Sequence, residues 1–493
     1  MSTMEGESTS RKRREVELEV EIENFGPISS GKIRLKPLTI FVGPNNSGKS
    51  YTAMLIRSIL EAYSFDPLYW LSWIYRSTRS DNKIIEIIKI LAKNLKERGE
   101  YEIPMQHLEY IMQKIFRYVS EVRLENEITR TFACSSKELV KAGEAHSTLR
   151  IKLGSYTFGL SLSGEGLRLR EHPRLDLPRI RIKVSEGRQP LFEPLIQRKG
   201  NEVLVTVTRS YPPSSLWRAL LWRVVLRKKA SDLLRSIPAP CYYLPAARSG
   251  ILQGHKALAA SIVRKIPFAG IEKLEIPSFP GVVADFLSSI IALPERKGPL
   301  YKLSQELEEE LLKGEIEAKL PEGKYSYPEI TYKSREVELP LHRASSSVSE
   351  LAPLILYLKY YIRPGSLLII EEPEAHLHPE NQRVLAKYLV RLARNGVHVL
   401  VTTHSDYLLE QVNNFILLSK VAPEKRREQG YREDDYLKPD EVAVYVFRYD
   451  EESKGYRIGE AEVTEEEGIT QEEFLRVDEA LYRETLRITR EIG

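Results

Sequence analysis

Residues 38–50 read Leu-Thr-Ile-Phe-Val-Gly-Pro-Asn-Asn-Ser-Gly-Lys-Ser, and this stretch decides the fold. Its first five residues are an apolar run that suits a strand buried on both faces of a parallel sheet. Residues 43–50 then fit the pattern GxxxxGK[ST] without a gap, and a helical stretch follows over about 49–62. Strand, glycine-rich loop and helix in this order predict a phosphate-binding loop in an α/β domain.

Each part of this loop has a chemical role. The two glycines, Gly43 and Gly48, let the backbone curl so that its N–H groups point at phosphate oxygens. The helix that follows presents its N-terminus, the positive end of its dipole, to the same anion. Lys49 would reach the β- and γ-phosphates of a nucleotide, and the Ser50 hydroxyl would ligate Mg²⁺.

A second apolar run ends in two carboxylates. Residues 367–370 read Leu-Leu-Ile-Ile, and Glu371 and Glu372 follow them. A buried parallel strand delivers its last residues to the edge of the sheet where phosphate-loop proteins bind nucleotide. We therefore expect Glu371 to hold Mg²⁺, directly or through water, and Glu372 to orient or deprotonate the attacking water.

A third apolar strand is predicted in residues 398–403, His-Val-Leu-Val-Thr-Thr, and His404 follows it. An imidazole at that strand end can hydrogen-bond a γ-phosphate and sense its loss. The alternative is a polar helix cap, since Ser405 and Asp406 are good N-cap residues, and both interpretations can hold together.

A serine-rich segment, Ser345 to Ser349, precedes an apolar helical stretch. Hydroxyls and free N–H groups at a helix N-terminus can bind an anion. The spacing of Ser347 and Glu350 equally fits an ordinary capping box, so the sequence leaves both interpretations open.

These elements, in this order, resemble the ATP-binding cassette (ABC) ATPase superfamily. The closest likeness is to its soluble branch of RecF-like, SMC-like and overcoming-lysogenization-defect (OLD) ATPases, and within it to stand-alone archaeal and bacterial ATPases of the AAA-15 and AAA-21 types. The segments that carry the resemblance are IENFGPI (22–28), GPNNSGKS (43–50), LPAARSG (244–250), ASSSVSEL (344–351), IIEEPEAHLHP (369–379) and VTTHSDYLL (401–409).

The resemblance implies ATP and Mg²⁺ as cofactors, ATP hydrolysis, and a homodimer in the ATP state, in which two heads sandwich two ATP molecules. It gives His404 the role of switch histidine and places His378 and Pro379 in a loop that crosses the dimer interface. The implied catalytic residues are Lys49, Glu372 and His404, and the implied metal ligands are Ser50 and Glu371. The implied nucleotide-binding residues are Gly43, Pro44, Asn45, Asn46, Ser47, Gly48, Lys49, Ser50, Tyr51, Arg248, Gln253 and, from the partner head, Ser345, Ser346 and Ser347.

The predicted fold class is α/β: a P-loop NTPase head of ABC type, with a mixed central sheet, flanking helices and an antiparallel β-subdomain, plus a mixed helical and β insert. The head is predicted over residues 15–62 and 238–420, and the insert over 63–237. A disordered basic tail is predicted over 1–14, and a charged loop, a β-hairpin and a C-terminal helix over 421–493.

Four departures separate this chain from relatives in the superfamily. Ser346 and Ser347 stand where the signature segment usually has glycines, and the phosphate loop lies far upstream of that segment, which disfavours a transporter subunit. The intervening residues lack the heptads of an SMC arm. The residues after His404 contain no DxD motif, so we expect no Toprim nuclease in the same chain. His376 and His378 lack further ligands of suitable spacing for a metal site.

The amino-acid composition further narrows the class of protein. The 493 residues contain 42% hydrophobic and 29% charged residues, and no apolar run reaches the length of a membrane span. No secretory signal is evident, and two cysteines cannot form a disulfide framework, so we expect a cytoplasmic protein without a membrane partner.

The charge distribution is uneven. Residues 141–240 carry 19 Lys and Arg against 8 Asp and Glu, whereas residues 431–493 are acidic. The basic segment includes a predicted amphipathic helix with Trp217, Trp222 and several cations. It makes nucleic acid one candidate partner, and a solvated charged surface is the alternative. A separate effector protein is the other candidate partner.

The function expected is therefore an ATPase acting in DNA repair, genome maintenance or anti-phage defence, or alternatively a nucleotide-gated scaffold with little turnover.

Overall fold

The computed structural model describes residues 17–64, 80–174, 177–185, 194–208, 212, 215–216, 238–254, 279–319, 328–335, 337–469 and 472–492. The described helices are α1 Lys49–Tyr63, α2 Asn82–Arg98, α3 Met105–Tyr118, α4 Leu124–Phe132, α5 Gly281–Ile291, α6 Tyr301–Leu311, α7 Ser346–Tyr360, α8 Pro379–Arg394, α9 Asp406–Leu417, α10 Pro423–Glu428 and α11 Glu472–Ile492. None of these helices is both long enough and apolar enough to cross a membrane.

The described strands are numbered in the same way. They are β1 Leu18–Phe25, β2 Ile28–Arg34, β3 Leu38–Val42, β4 Glu100–Glu102, β5 His146–Leu153, β6 Tyr156–Ser163, β7 Gly166–Glu171, β8 Arg179–Ser185, β9 Leu195–Lys199, β10 Glu202–Thr208, β11 Cys241–Leu244, β12 Gly314–Lys319, β13 Glu329–Ser334, β14 Glu338–Pro340, β15 Leu367–Glu371, β16 His398–Thr403, β17 Val442–Asp450, β18 Gly455–Glu460, β19 Val463–Thr464 and β20 Gly468–Ile469.

A mixed sheet of 11 strands organises the described part of the chain, in the order β11-β15-β16-β3-β17-β18-β2-β1-β5-β6-β7. The five strands β11, β15, β16, β3 and β17 run parallel to one another, whereas β17 pairs antiparallel with β18, and β1 pairs antiparallel with both β2 and β5. The predicted mixed central sheet with an antiparallel part is confirmed, and both parts belong to one hydrogen-bonded sheet.

The strands that carry the site are buried on both faces because their side chains alternate between two apolar cores. In β15, Leu367 and Ile369 join one core and Leu368 and Ile370 join the other. The helices α1 and α8 cover opposite faces of the sheet, since their apolar residues belong to different cores. An uninterrupted apolar run is therefore required here, as the sequence predicts for parallel strands. Truncating Ile369 to alanine would cost roughly 2–5 kcal/mol of stability.

The strands β5 to β7 lie within the range that the sequence analysis assigned to an insert, and they continue the sheet of the head. Six residue pairs, from Leu18–Leu153 to Glu23–Thr148, join β1 to β5. A separate four-stranded sheet has the order β4-β8-β10-β9, in which β4 precedes β5 in the chain and the other three strands follow β7. The division into head and insert stays a prediction. The basic tail over 1–14 and most of the predicted basic helix, including Trp217 and Trp222, fall outside the described residues.

Candidate functional site

Three parallel strands end side by side at one edge of the sheet. Phe41 of β3 pairs with Thr402 of β16, and Thr402 pairs with Glu371 of β15. The loops that follow these strands therefore start at the same level. The two outer strands, β3 and β15, are separated by two strand spacings of about 4.8 Å each. This register brings the phosphate loop, the paired carboxylates and His404 to one place, as the sequence predicts.

The phosphate loop has a conformation that only its glycines allow. The φ angle of Gly48 is 98°, and a Cβ at this position would lie 2.9 Å from Cγ1 of Ile28. A Cβ at Gly43 would lie 2.7 Å from the carbonyl oxygen of Phe447, so both positions are closed to larger residues. No side chain among the described residues caps the start of α1, which leaves the N–H groups of its first turn available to an anion.

Two further features of the loop fit a bound phosphate. Ser47 is buried, and its Oγ has no hydrogen-bond partner among the described residues. Lys49 Nζ donates to the carbonyl oxygens of Gly43 and Pro44, each at 2.8 Å. A buried hydroxyl without a partner is costly, and a phosphate oxygen would satisfy it.

Lys49 is a buried cation next to carboxylates. Burial lowers the pKa of Lys49 to about 8, while the negative charges of Glu372 and Glu374 oppose that shift. A group with this pKa gains a proton readily when further negative charge arrives. The lysine is thus suited to pair with a nucleotide phosphate.

Glu371 is buried, and both of its carboxylate oxygens accept hydrogen bonds. Tyr243 Oη donates to Oε1 at 2.6 Å, and the N–H of Ala246 donates to Oε2 at 3.0 Å. These bonds fix the carboxylate and leave lone pairs available, since an ionised carboxylate offers about four acceptor positions. Glu371 therefore fits a role in holding a metal-bound water more readily than a direct bond to the metal.

Glu372 and His404 face each other at the more open part of the edge. Glu372 adopts a left-handed backbone conformation, with φ 43°, and its N–H donates to the Thr402 carbonyl at 2.9 Å. Its Oε1 lies 4.0 Å from Nε2 of His404. Burial, aided by the charge of Lys49, lowers the pKa of His404, whereas Glu372 opposes the shift. The imidazole is therefore neutral near pH 7 and can accept or donate one hydrogen bond.

Glu374 joins this loop to His404, and the sequence analysis missed it. Its Oε1 accepts hydrogen bonds from Thr403 Oγ1 and from the N–H of His404, both at 2.7 Å. Its Oε2 is buried without a hydrogen-bond partner among the described residues, and burial raises the pKa of this carboxyl. Its place in the segment EEPEAHLHP was the only available signal.

Arg248 is buried beside the site and is fully engaged with the protein. Its Nε lies 3.1 Å from Oε2 of Glu350, and its Nη1 donates to the carbonyl of Glu371 at 2.8 Å. Its Nη2 donates to the carbonyl of Glu372 at 3.3 Å. Glu350 also accepts from Ser249 Oγ. Arg248 therefore ties the strand that carries the two carboxylates to the first turns of α7, and a direct contact with nucleotide stays a prediction.

The remaining predicted residues lie on the surface. Ser345 is exposed and caps α7, accepting from the N–H of Val348 at 3.4 Å, so Ser345 rather than Ser347 is the N-cap. Ser346 is exposed and Ser347 partly so. Gln253 is exposed and lines a small cleft of about 110 Å³ with His342 and neighbouring residues. Their roles at a nucleotide stay predictions.

Tyr51 and His378 have local partners, whereas His376 is exposed. The Tyr51 ring packs edge-on against Phe132 at 5.2 Å between centroids. His378 caps α8, where Nδ1 accepts from the N–H of Glu380 at 3.4 Å, and His376 is exposed. No group of three or more metal-ligating side chains occurs among the described residues. Ser50 and Glu371 therefore fit Mg²⁺ only as part of a site that phosphate oxygens and water complete.

This sheet and this edge define the class: the chain has the architecture of a P-loop NTPase. The family model described as "AAA ATPase domain" matches residues 18–140 and 280–409, just over half of the chain. The chain belongs to the AAA ATPase domain family. No curated protein gave a significant match.

Solved structures give weak similarities over most of the chain. One is the "SmcHead bound to the C-winged helix domain of ScpA", at 10% identity over 90% of this chain and 97% of that chain, with a TM-score of 0.41. The SMC head domain from Thermotoga maritima matches at 10% identity over 91% and 100%, with a TM-score of 0.36. An Smc head with an extended coiled coil, bound to the C-terminal domain of ScpA and derived from Pyrococcus furiosus, matches at 11% over 96% and 98%, with a TM-score of 0.37.

Proposed function

We propose that this protein binds and hydrolyses ATP with Mg²⁺, and that ATP drives two heads together. The observation that carries the proposal is the shared register of β3, β16 and β15, which brings Lys49, His404 and Glu372 to one edge. The uncapped start of α1 and the unpartnered Ser47 hydroxyl support phosphate binding at that edge.

Each residue of the site has a separate proposed role. Lys49 and the N–H groups of the loop bind the β- and γ-phosphates, and Ser50 and Glu371 would hold Mg²⁺, which offsets phosphate charge. Glu372 accepts a proton from, or orients, the attacking water, and the neutral His404 contacts the γ-phosphate. Loss of that phosphate changes the contacts of His404, and Glu374 connects this change to the loop of His378.

The exposed serine segment, Ser345 to Ser347, supports the proposed association of two heads. Ser345 and Ser346 are exposed at the N-terminus of α7, where a partner's γ-phosphate would meet hydroxyls and the positive end of the helix dipole. ATP held between two heads stabilises the dimer, and hydrolysis removes the bridging phosphate and releases it. This is a two-state equilibrium biased by differential contacts.

The test of this proposal is the Glu372→Gln variant, which keeps the shape of the site and removes its base. With ATP and Mg²⁺ this variant should show ATP-dependent association of heads, and Lys49→Ala, which loses ATP binding, should not. Association is measured as the difference in sedimentation between samples with and without ATP. A Glu372→Gln protein whose sedimentation does not respond to ATP contradicts head association.

The target of the ATPase is proposed to be nucleic acid or a partner protein. The described basic row Arg179, Arg181 and Lys183 lies on the exposed face of β8, but Arg181 lies 3.5 Å from Glu102, which reduces its net charge. Turnover with and without single- and double-stranded DNA and RNA separates the targets. Stimulation that declines steeply with salt and is lost in Lys49→Ala supports nucleic acid.

A nucleotide-gated scaffold is the second candidate. The feature that favours it is the serine segment, since Ser346 and Ser347 stand where the ABC signature has glycines and their side chains would narrow the approach to a γ-phosphate. In this case ATP binds, turnover is very slow, and a separate effector chain carries the activity. Ready turnover that no partner changes would argue against it.

A further inference from the structure

A pair of tyrosines lies beside the phosphate loop, on the side away from Glu372 and His404 in the order of strands. Tyr449 of β17 and Tyr456 of β18 are register partners, and their rings pack edge-on with 5.4 Å between centroids. Tyr449 nevertheless remains 53% exposed. A ring that is this open at the margin of a binding site is available to stack on a ligand.

The tyrosine pair lies on the face of the sheet that α1 covers. Along β17, Tyr445 and Phe447 belong to the same apolar core as residues of α1, and Tyr449 follows in the same alternation. In β18, Ile458 belongs to this core, and Tyr456 precedes it by two positions. Both rings are therefore on the face where the helix of the phosphate loop begins.

Close contacts join the hairpin of β17 and β18 to the phosphate loop. A Cβ at Gly43 would lie 2.7 Å from the carbonyl oxygen of Phe447, two residues before the exposed ring. The N–H of Tyr456 donates to the Pro27 carbonyl at 2.9 Å, and a Cβ at Gly48 would lie 3.0 Å from Cγ of Pro27. With the rise of a β-strand, the exposed ring lies about 7 Å beyond the contact with the loop.

The direction of a bound nucleotide follows from the proposed function, on which this inference rests. Glu372 and His404 follow β15 and β16 and would meet the γ-phosphate, whereas the phosphate loop follows β3. The sheet order β15-β16-β3-β17-β18 places β17 and β18 on the opposite side of the loop. The α-phosphate, the ribose and the base would therefore extend toward the tyrosine pair.

We propose that Tyr449, supported by Tyr456, forms the base-binding surface of this site, and that the site takes purine nucleoside triphosphates. Every base can stack on an aromatic ring, and the two fused rings of a purine cover more of that ring than a pyrimidine does. The edge-on contact holds the exposed ring in place before the ligand arrives, which reduces the entropy lost on binding. Stacking selects for the size of the base, so the site accepts adenine and guanine alike.

The experiment measures the affinity of the full chain for ATP, GTP, CTP and inorganic triphosphate by calorimetry in EDTA, which prevents hydrolysis. Wild type should bind ATP and GTP more tightly than CTP. Tyr449→Ala should raise the dissociation constant of ATP about tenfold or more, and that of inorganic triphosphate by less than about twofold. Tyr449→Phe keeps the ring and should retain the affinity. The matched control is Tyr482→Ala, which removes a tyrosine that is 65% exposed on α11 and should change neither constant.

Photolabelling of the wild-type chain with 8-azido-ATP tests the same contact without a substitution. The label should lie within residues 447–456, and a label found only elsewhere overturns the proposal. An ATP affinity that Tyr449→Ala leaves unchanged, or an equal loss for ATP and inorganic triphosphate, also overturns it, because the pair then only stabilises the hairpin. A wild-type chain that binds no ATP contradicts the proposed ATPase as well, so the two failures are distinguishable.

Discussion

Replacing Arg248 by methionine should destabilise the protein strongly, although Arg248 is not required to touch nucleotide for this effect. The side chains of Arg248 and Glu350 are each only 2% exposed, with 3.1 Å between Nε and Oε2. Removing the cation leaves a buried carboxylate without its counter-charge, and losses of this kind amount to about 3–5 kcal/mol. The carbonyls of Glu371 and Glu372 would also lose their donors.

The assay is urea unfolding without nucleotide, in which the midpoint of the first transition is compared at constant slope. Arg248→Met combined with Glu350→Gln should recover much of the loss, because the buried carboxylate of Glu350 is then no longer left without its counter-charge. The control is Arg181→Met, which removes an exposed pair with Glu102 and should cost about 1 kcal/mol at most. A loss below about 1 kcal/mol in Arg248→Met, or strict additivity in the double variant, would refute the reasoning.

Three further predictions concern the site. ATP binding near pH 8.5 should be accompanied by uptake of a proton, because the pKa of Lys49 is lowered to about 8 and the phosphate charge raises it again. Calorimetry in buffers of different ionisation enthalpy measures the number of protons taken up. The absence of proton uptake in the wild-type protein would contradict the prediction. Glu374→Ala should lower kcat roughly 10- to 100-fold with little change in KM, because it leaves the N–H of His404 unpaired and displaces the ring, and Glu374→Gln should recover part of the rate. Turnover should decline as the pH falls below the ordinary range of histidine pKa values. The lowered pKa of His404 keeps its imidazole neutral at higher pH, and protonation at lower pH removes the neutral form. A pH profile of His404→Gln that declines in the same way would show that another group is responsible.

The sequence predicted those parts of the fold whose pattern is local. The apolar run Leu38–Val42 forms β3 with the predicted bounds, and the runs ending at Glu371 and Thr403 form its neighbours β15 and β16. Glycines with fixed spacing also predict the loop, because only glycine allows its backbone. These features need no knowledge of distant residues.

The contacts that connect distant segments could not be predicted. Tyr243 bonds to Glu371 across 128 positions of sequence, and Arg248 to Glu350 across 102. Glu374 looks like an ordinary surface glutamate until β16 places the N–H of His404 beside it. The pairing of β1 with β5, which carries the head's sheet into the range predicted as an insert, likewise depends on register between remote strands.

That pairing has a mechanical consequence. A continuous ladder of backbone hydrogen bonds runs from the strand before the phosphate loop, through β17, β18, β2 and β1, to β7 at the far margin. A sheet twists elastically but does not shear easily between bonded strands, so it behaves as a stiff plate. Any rotation of the sheet at its nucleotide edge would therefore also move β5, β6 and β7. Their displacement would grow with their distance from the rotation axis.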